Sequence, residues 1–295
     1  MSGNRPGGII CPIATFLNPD ETLDESAQRK HLDRIVNDID GVLVMGTTGE
    51  FALLTEEVGR RVVELTVEYI NGRKPVYVGI GDTGTQRVLE KLDFIATSGV
   101  DYAVVCSPYY YTVGDDQALL YHFETIADRS KVPVLAYNIP QNTYNNIPPR
   151  VIGRLSEHPN IVGLKDSWGD MFQFQEYLAY RSESFSVFMG PEHLAAASLW
   201  LGADGVVSAL ANFVPDWVQQ LYVQVKQGER EQSLKTQRRI TELARIFEHG
   251  VVSCVLKVVL NRLGIGSERP AAPLPPCTED QKQAIYRLLE TAELI

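Results

Sequence analysis

VPVLAYNIPQNTYNNIPPRVIGRLSEHPNIVGLK, residues 132–165, is the stretch whose pattern decides the fold. Two apolar runs, Val132–Pro140 and Ile161–Lys165, enclose an amphipathic segment at Pro149–Glu157. Runs that are apolar almost throughout, rather than alternating, describe strands buried on both faces, and a helical crossover between two of them makes the pair parallel. The same unit repeats in both directions. Further runs lie at Gly8–Phe16, Gly41–Gly46, Pro75–Gly81 and Tyr102–Ser107 upstream, and at Phe185–Gly190 and Gly205–Ala209 downstream. Between them the periodicity predicts helices at Ser26–Val36, Thr55–Ile70, Thr85–Ser98, Gln117–Arg129, Met171–Tyr180, His193–Leu201 and Asp216–Gln227. Asp24 and Glu25, and Glu56 and Glu57, put acids at the first two helix starts, where the dipole favours them. Strict strand–helix alternation of this kind predicts an α/β chain closed into a (β/α)8 TIM barrel. No G-x-G-x-x-G follows the first run, which argues against an open dinucleotide-binding sheet. Helices are expected again at Arg230–His249, Val251–Leu263 and Thr278–Leu294, the last after the Pro-rich stretch Pro270–Pro276. Residues 1–228 are therefore read as the barrel, and 229–295 as a helical appendage packed on it in one structural unit.

Composition narrows the function classes. The 295 residues are 44% hydrophobic and 22% charged, an ordinary globular balance. A net charge of −10, with a pI near 5.1, disfavours nucleic acid or an anionic membrane as partner, since both select basic surfaces. No run approaches the ~18 apolar residues of a membrane span, and Met1–Gly8 lacks a signal-peptide core. Cys11, Cys106, Cys254 and Cys277 have no metal-type spacing, so reduced thiols in a cytoplasmic protein are expected.

Barrels of this type carry chemistry at the C-terminal ends of their strands. Strand two runs into Gly46-Thr47-Thr48-Gly49-Glu50, and strand four into Ser107-Pro108-Tyr109-Tyr110-Tyr111. Strand five gives Tyr137-Asn138-Ile139-Pro140, strand six Lys165-Asp166-Ser167, and strand seven Gly190-Pro191-Glu192-His193. Lys165 is the sharpest candidate, because a desolvated lysine becomes a nucleophilic amine suited to a Schiff base with a carbonyl substrate. The bland alternative is a structural salt bridge with Asp166. Lys257, within VLKVVL, reads as a snorkelling lysine. Tyr137 is a proton shuttle or a barrel-layer aromatic. Thr47 and Thr48, between glycines, suit a carboxylate cradle or a plain strand–helix turn. The aromatic run at Tyr109–Tyr111 suggests a subunit interface, and Glu192 with His193 either caps a helix or recognises hydroxyls. No cluster has metal-ligand spacing, and no G-x-S-x-G elbow is present.

The segments Gly46–Glu50, Tyr137–Pro140 and Gly163–Ser167 resemble the signatures of the dihydrodipicolinate synthase / N-acetylneuraminate lyase family, over essentially the whole chain. The resemblance implies a class I, pyruvate-handling carbon–carbon lyase with neither metal nor organic cofactor. It gives Lys165 the imine, Tyr137 the acid–base role, and Thr47 and Thr48 the pyruvate carboxylate and a proton relay. Tyr110 matches a tyrosine reaching into the neighbouring subunit's site, and the usual assembly is a homotetramer, a dimer of dimers. Gly190, Glu192, Ser167, Asn142 and Val207 complete the expected substrate contacts. Family synthases carry an arginine where Asn142 stands here, and asparagine offers no bidentate cation for a second carboxylate. The sialic acid lyase pattern is only partly kept at Glu192, His193 and Ala209. The resemblance thus favours reversible cleavage of a 2-keto-3-deoxy sugar acid to pyruvate and an aldehyde. Alternatives on the same imine are dihydrodipicolinate synthesis, 4-hydroxy-2-oxoglutarate cleavage and dehydration. A non-catalytic barrel binding 2-oxo acids is the alternative of another class, and joint retention of Lys165, Tyr137, Thr47 and Thr48 speaks against it.

Overall fold

The computed structural model describes residues 5–295, so the first residues of the stretch scanned for a leader lie outside the described part. Eight strands form where the apolar runs predict them: β1 (Gly8–Pro12), β2 (Gly41–Val44), β3 (Val76–Gly79), β4 (Tyr102–Cys106), β5 (Val134–Asn138), β6 (Ile161–Asp166), β7 (Ser186–Met189) and β8 (Gly205–Val207). They close into a barrel in sequence order, the (β/α)8 architecture expected from the pattern. The strands are shorter than the runs. Ile13, Ala14 and Phe16 are fully buried although β1 stops at Pro12. Apolar character there follows burial in a packed loop rather than membership of the ladder.

By internal contacts the chain divides into two compact units, one made of the residues up to Gly8 with Pro75–Val207, the other of Ile9–Lys74 with Ser208–Ile295. In the first unit β3 to β8 pair as successive parallel neighbours. In the second, Ile10, Cys11 and Pro12 pair with Gly41, Val42 and Leu43. The helices Arg230–Ala244, Val252–Arg262 and Glu279–Thr291 belong to this second unit. Thr55 caps the helix Glu56–Ile70 by accepting from Val58 N–H, and Thr278 with Gln281 forms a reciprocal capping box on the last helix. The helix expected from His193 begins only at Ala195, because Glu192–Leu194 is a tighter 3-10 turn. Among the described residues no helix is long and apolar enough to cross a membrane.

Two buried histidines make stability depend on pH. His31 is fully buried, with Nε2 2.9 Å from Asn212 Oδ1. Burial pushes its imidazole down to about 4. His122, facing the Thr85 hydroxyl at 3.0 Å, is pushed down to about 4 by the same cause. Unfolding restores an ordinary value near 6.5, so between these values the unfolded chain binds more protons than the folded one. The associated stability is complete above about 6.5 and is lost as pH falls towards 4. His31→Gln retains a donor for Asn212 and removes the titration. The urea midpoint of this variant should therefore fall less steeply between pH 6.5 and 4 than that of the wild type, by the linkage of about one proton. Parallel pH profiles for the two proteins would contradict this assignment.

Candidate active site

In the first unit the ends of β5 and β6 are in register, Tyr137 opposite Lys165 and Asn138 opposite Asp166. Side chains alternate along a strand, so Tyr137 and Lys165 share one face while Asn138 and Asp166 share the other. On the first face Lys165 Nζ stands 3.9 Å from the centroid of the Tyr137 ring. Both side chains are about nine-tenths buried, each with 6% of its surface exposed.

The second face answers the salt-bridge alternative, because Asp166 turns to Asn138 and not to Lys165. Asn138 Nδ2 donates to Asp166 Oδ1 at 2.8 Å and to Asn146 Oδ1 at 3.0 Å, while its Oδ1 accepts from Ile147 N–H at 2.9 Å. The Tyr177 hydroxyl donates to the Ile147 carbonyl at 2.5 Å, and Gln173 bonds both Tyr177 and Asn146. Gln173 and Tyr177 lie on the helix Met171–Leu178, so this buried network ties the two strand ends to the surrounding helix layer. Burial lifts the Asp166 carboxyl to about 6, against the pull of Asn138. The network gives the Tyr137–Lys165 pair a fixed floor, since slipping either strand end would break several buried polar contacts.

Other residues singled out by sequence belong to the same unit. Ser167 follows β6, its N–H donating to the Asn138 carbonyl at 2.9 Å. Gly190 follows β7 with its N–H on the Asp166 carbonyl at 2.7 Å, and a Cβ at this position would collide with Ser167 Oγ. Ser167 and Gly190 are thus brought together, and only glycine fits. Val207 closes β8 and is buried. Glu192 opens the 3-10 turn after Gly190 and is half-buried. Asn142 is exposed on the short helix Pro140–Thr143, whose Gln141 donates to the Ser167 carbonyl at 2.8 Å. Tyr110 is 75% exposed in a left-handed backbone conformation (φ 81°), edge-on to Tyr111. Asn145 holds this aromatic loop, donating to the Pro108 and Tyr111 carbonyls at 2.8 Å each and accepting from Val113 N–H at 2.6 Å. No sequence pattern marks Asn145, because the loop groups it holds are backbone groups more than thirty residues away.

In the second unit β2 leads into a 3-10 turn, Thr47–Gly49, with Thr48 buried and Thr47 exposed. Thr15 Oγ1 donates to the Gly49 carbonyl at 2.9 Å, and a Cβ on Gly49 would press against Ile13 O and Thr15 Oγ1. The turn ends at Glu50, left-handed at φ 60°. Lys257 corrects the snorkelling expectation: it is fully buried, its Nζ 2.8 Å from Glu50 Oε2. Among the described residues no group of three or more His, Cys, Asp or Glu is placed to hold a metal ion.

Comparison with known proteins gives the same frame. The model of the dihydrodipicolinate synthetase family matches residues 5–292. A 4-hydroxy-tetrahydrodipicolinate synthase of Xanthomonas campestris pv. campestris is 34% identical over 97% of this chain and 94% of its own length. The crystal structure of dihydrodipicolinate synthase from Aquifex aeolicus superposes with a TM-score of 0.94 at 28% identity, covering 98% of this chain and 99% of that one. The chloride-inhibited dihydrodipicolinate synthase of Acinetobacter baumannii, complexed with pyruvate, gives 0.94 at 26% identity, with 98% and 99% covered.

Proposed function

The chain belongs to the dihydrodipicolinate synthetase family of carbon–carbon lyases, and we propose that it joins pyruvate, held as an imine on Lys165, to an aldehyde. The observation that carries the proposal is the Tyr137–Lys165 pair at the registered ends of β5 and β6, with Nζ 3.9 Å from the ring centroid. Lys165 Nζ adds to the keto carbon of pyruvate, and the carbonyl oxygen leaves as water. The protonated imine is an electron sink, so a C3 proton can depart to give the enamine. C3 then forms a bond to the aldehyde carbon, whose oxygen takes up a proton, and water returns to release the lengthened 2-oxo acid from the lysine. Tyr137 is assigned these proton transfers. Thr47 and Thr48 are assigned the pyruvate carboxylate on the strength of the family motif and of their ordered turn. Tyr110 keeps the role implied by the family pattern, delivered within an oligomer, for which its exposure on an ordered loop is suitable.

The similar relatives are named as synthases, which favours condensation over the sugar-acid cleavage expected from sequence, and we take aspartate semialdehyde as the aldehyde of that reading. Asn142 is the specific observation favouring the second reading, in which a 2-keto-3-deoxy sugar acid is cleaved to pyruvate and an aldehyde. A neutral amide there suits a hydroxylated tail better than a carboxylate. Supplying the protein with pyruvate and aspartate semialdehyde, and separately with a 2-keto-3-deoxy sugar acid, decides between them. Pyruvate consumption in the first assay is the expected result. Pyruvate release confined to the second assay would replace it with the cleavage reading, and water loss with the carbon chain intact would point to dehydration.

A further inference from the structure

Among the described residues, the helix Val252–Arg262 carries the one fully buried lysine outside the pair described above, and nothing in the proposed reaction uses it. Lys257 Nζ donates to Glu50 Oε2 at 2.8 Å and to the Arg269 carbonyl at 2.9 Å. Ala271 N–H donates to the same Oε2 at 2.9 Å, while Glu50 Oε1 is buried with no hydrogen-bond partner. All these groups lie in the second unit.

A buried ion pair is a poor device for stability, because well-packed apolar residues of similar size do as well or better. What it fixes here is position. Glu50 is the residue that ends the Thr47–Gly49 turn, with its own N–H closing onto the Thr47 carbonyl at 3.1 Å. Its left-handed backbone is an uncommon conformation for a side chain of this size, and persists only where surrounding contacts determine it. Two donors on a single carboxylate oxygen supply those contacts from one side. The Thr15 hydroxyl on the carbonyl of Gly49, the residue before Glu50, supplies another at the same end of the turn.

We propose that Lys257, acting through Glu50, is a positioning residue that holds the Thr47–Thr48 turn in the shape that grips the carboxylate of the 2-oxo acid. This rests on the assignment of Thr47 and Thr48 to that carboxylate. Without the ammonium, Glu50 is a buried carboxylate with no counter-charge and only the Ala271 N–H as donor, and its release towards water lets the left-handed residue relax and the turn open. Affinity for the carboxylate then falls, while the imine-forming lysine is untouched.

The test uses the full chain as wild type, Lys257→Met and Glu50→Gln. Each is incubated with increasing pyruvate, or with methyl pyruvate, which has the keto group without the charge. Borohydride then reduces the imine, and intact mass reports the fraction trapped, with the modified peptide mapped to Lys165. Lys257→Met should raise the half-saturating pyruvate concentration by about tenfold or more, the scale of one lost charge-assisted contact. The value for methyl pyruvate should move by less than about twofold on the same scale. Glu50→Gln keeps the shape and an acceptor for Ala271, and should shift pyruvate in the same direction by a smaller factor. If Lys257→Met does not fold, Glu50→Gln decides. A lower melting temperature with unmoved half-saturation in the folded variants would assign the pair to stability alone and overturn the proposal, as would equal losses for both ligands. If the wild type forms no adduct, the Schiff-base reading fails and takes this proposal with it; wild-type trapping with an unmoved midpoint in the variants removes this proposal only.

Discussion

Lys165→Arg should reduce turnover by at least about a thousandfold and abolish the borohydride-trapped pyruvate adduct. Arginine is the informative replacement because it separates charge from nucleophilicity. Its guanidinium stays protonated at any pH a protein survives, and can lie over the Tyr137 face as the lysine does at 3.9 Å. A site needing only a cation to attract a 2-oxo acid would thus keep its affinity and much of its rate. A site needing a free amine to form a carbon–nitrogen bond loses the reaction outright. The larger side chain must fit a position with 6% of its surface exposed, so a modest loss of stability, about 1–3 kcal/mol for overpacking, should accompany the change. Melting temperature and pyruvate binding by calorimetry separate that loss from the chemical one. Turnover at the wild-type level would eliminate the imine mechanism.

The barrel was legible because burial on both faces strips a strand of polar residues, and each of the eight strands does so long enough to stand out. Strand ends were less legible. Gly8–Phe16 reads as one run, yet the ladder stops at Pro12, since a buried loop and a buried strand demand the same residue types. The 3-10 turn Thr47–Gly49 and the helix Pro140–Thr143 span three and four residues, too few to display any period.

At the site, legibility followed sequence distance. Tyr137 and Lys165 could be picked out because each ends a recognisable strand and consecutive strands pair. Asn138 and Asp166 stood beside them in the same motifs, but the further partners of Asn138, Asn146 and Tyr177, sit on a loop and a helix with no pattern pointing to them. Asp166 looked like a partner for Lys165 because the two are adjacent in the chain. Adjacency in a strand in fact sends them to opposite faces. Lys257 misled for a related reason: an apolar helix face suggests a snorkelling stem, whereas its counter-charge, Glu50, lies 207 residues away. Periodicity can say that a face is buried; it cannot say which distant charge is buried with it.

Tyr137→Phe carries the second large expectation, a fall in turnover of about a hundredfold to ten-thousandfold, the range typical of a lost general acid–base group. The substitution leaves the ring in place, so the contact with Lys165 Nζ and the packing of β5 against β6 are retained. Only the hydroxyl is lost. Imine formation needs an amine and a ketone, and should therefore still reach equilibrium, more slowly, with half-saturating pyruvate within about twofold of wild type. Formation of the enamine and of the new carbon–carbon bond each moves a proton, and these steps should bear the loss. The predicted signature is a lower turnover number with pyruvate affinity preserved, and a Lys165 adduct that is still trapped when borohydride is added late. If Tyr137 is instead a barrel-layer aromatic, removing a hydroxyl from it should cost stability and little rate. A turnover within about threefold of wild type, on the scale where 1.4 kcal/mol is tenfold, would assign it that role. The proton transfers would then have to be sought among the hydroxyls of the Thr47–Thr48 turn, where the substitution of Thr47 by valine would be the next step.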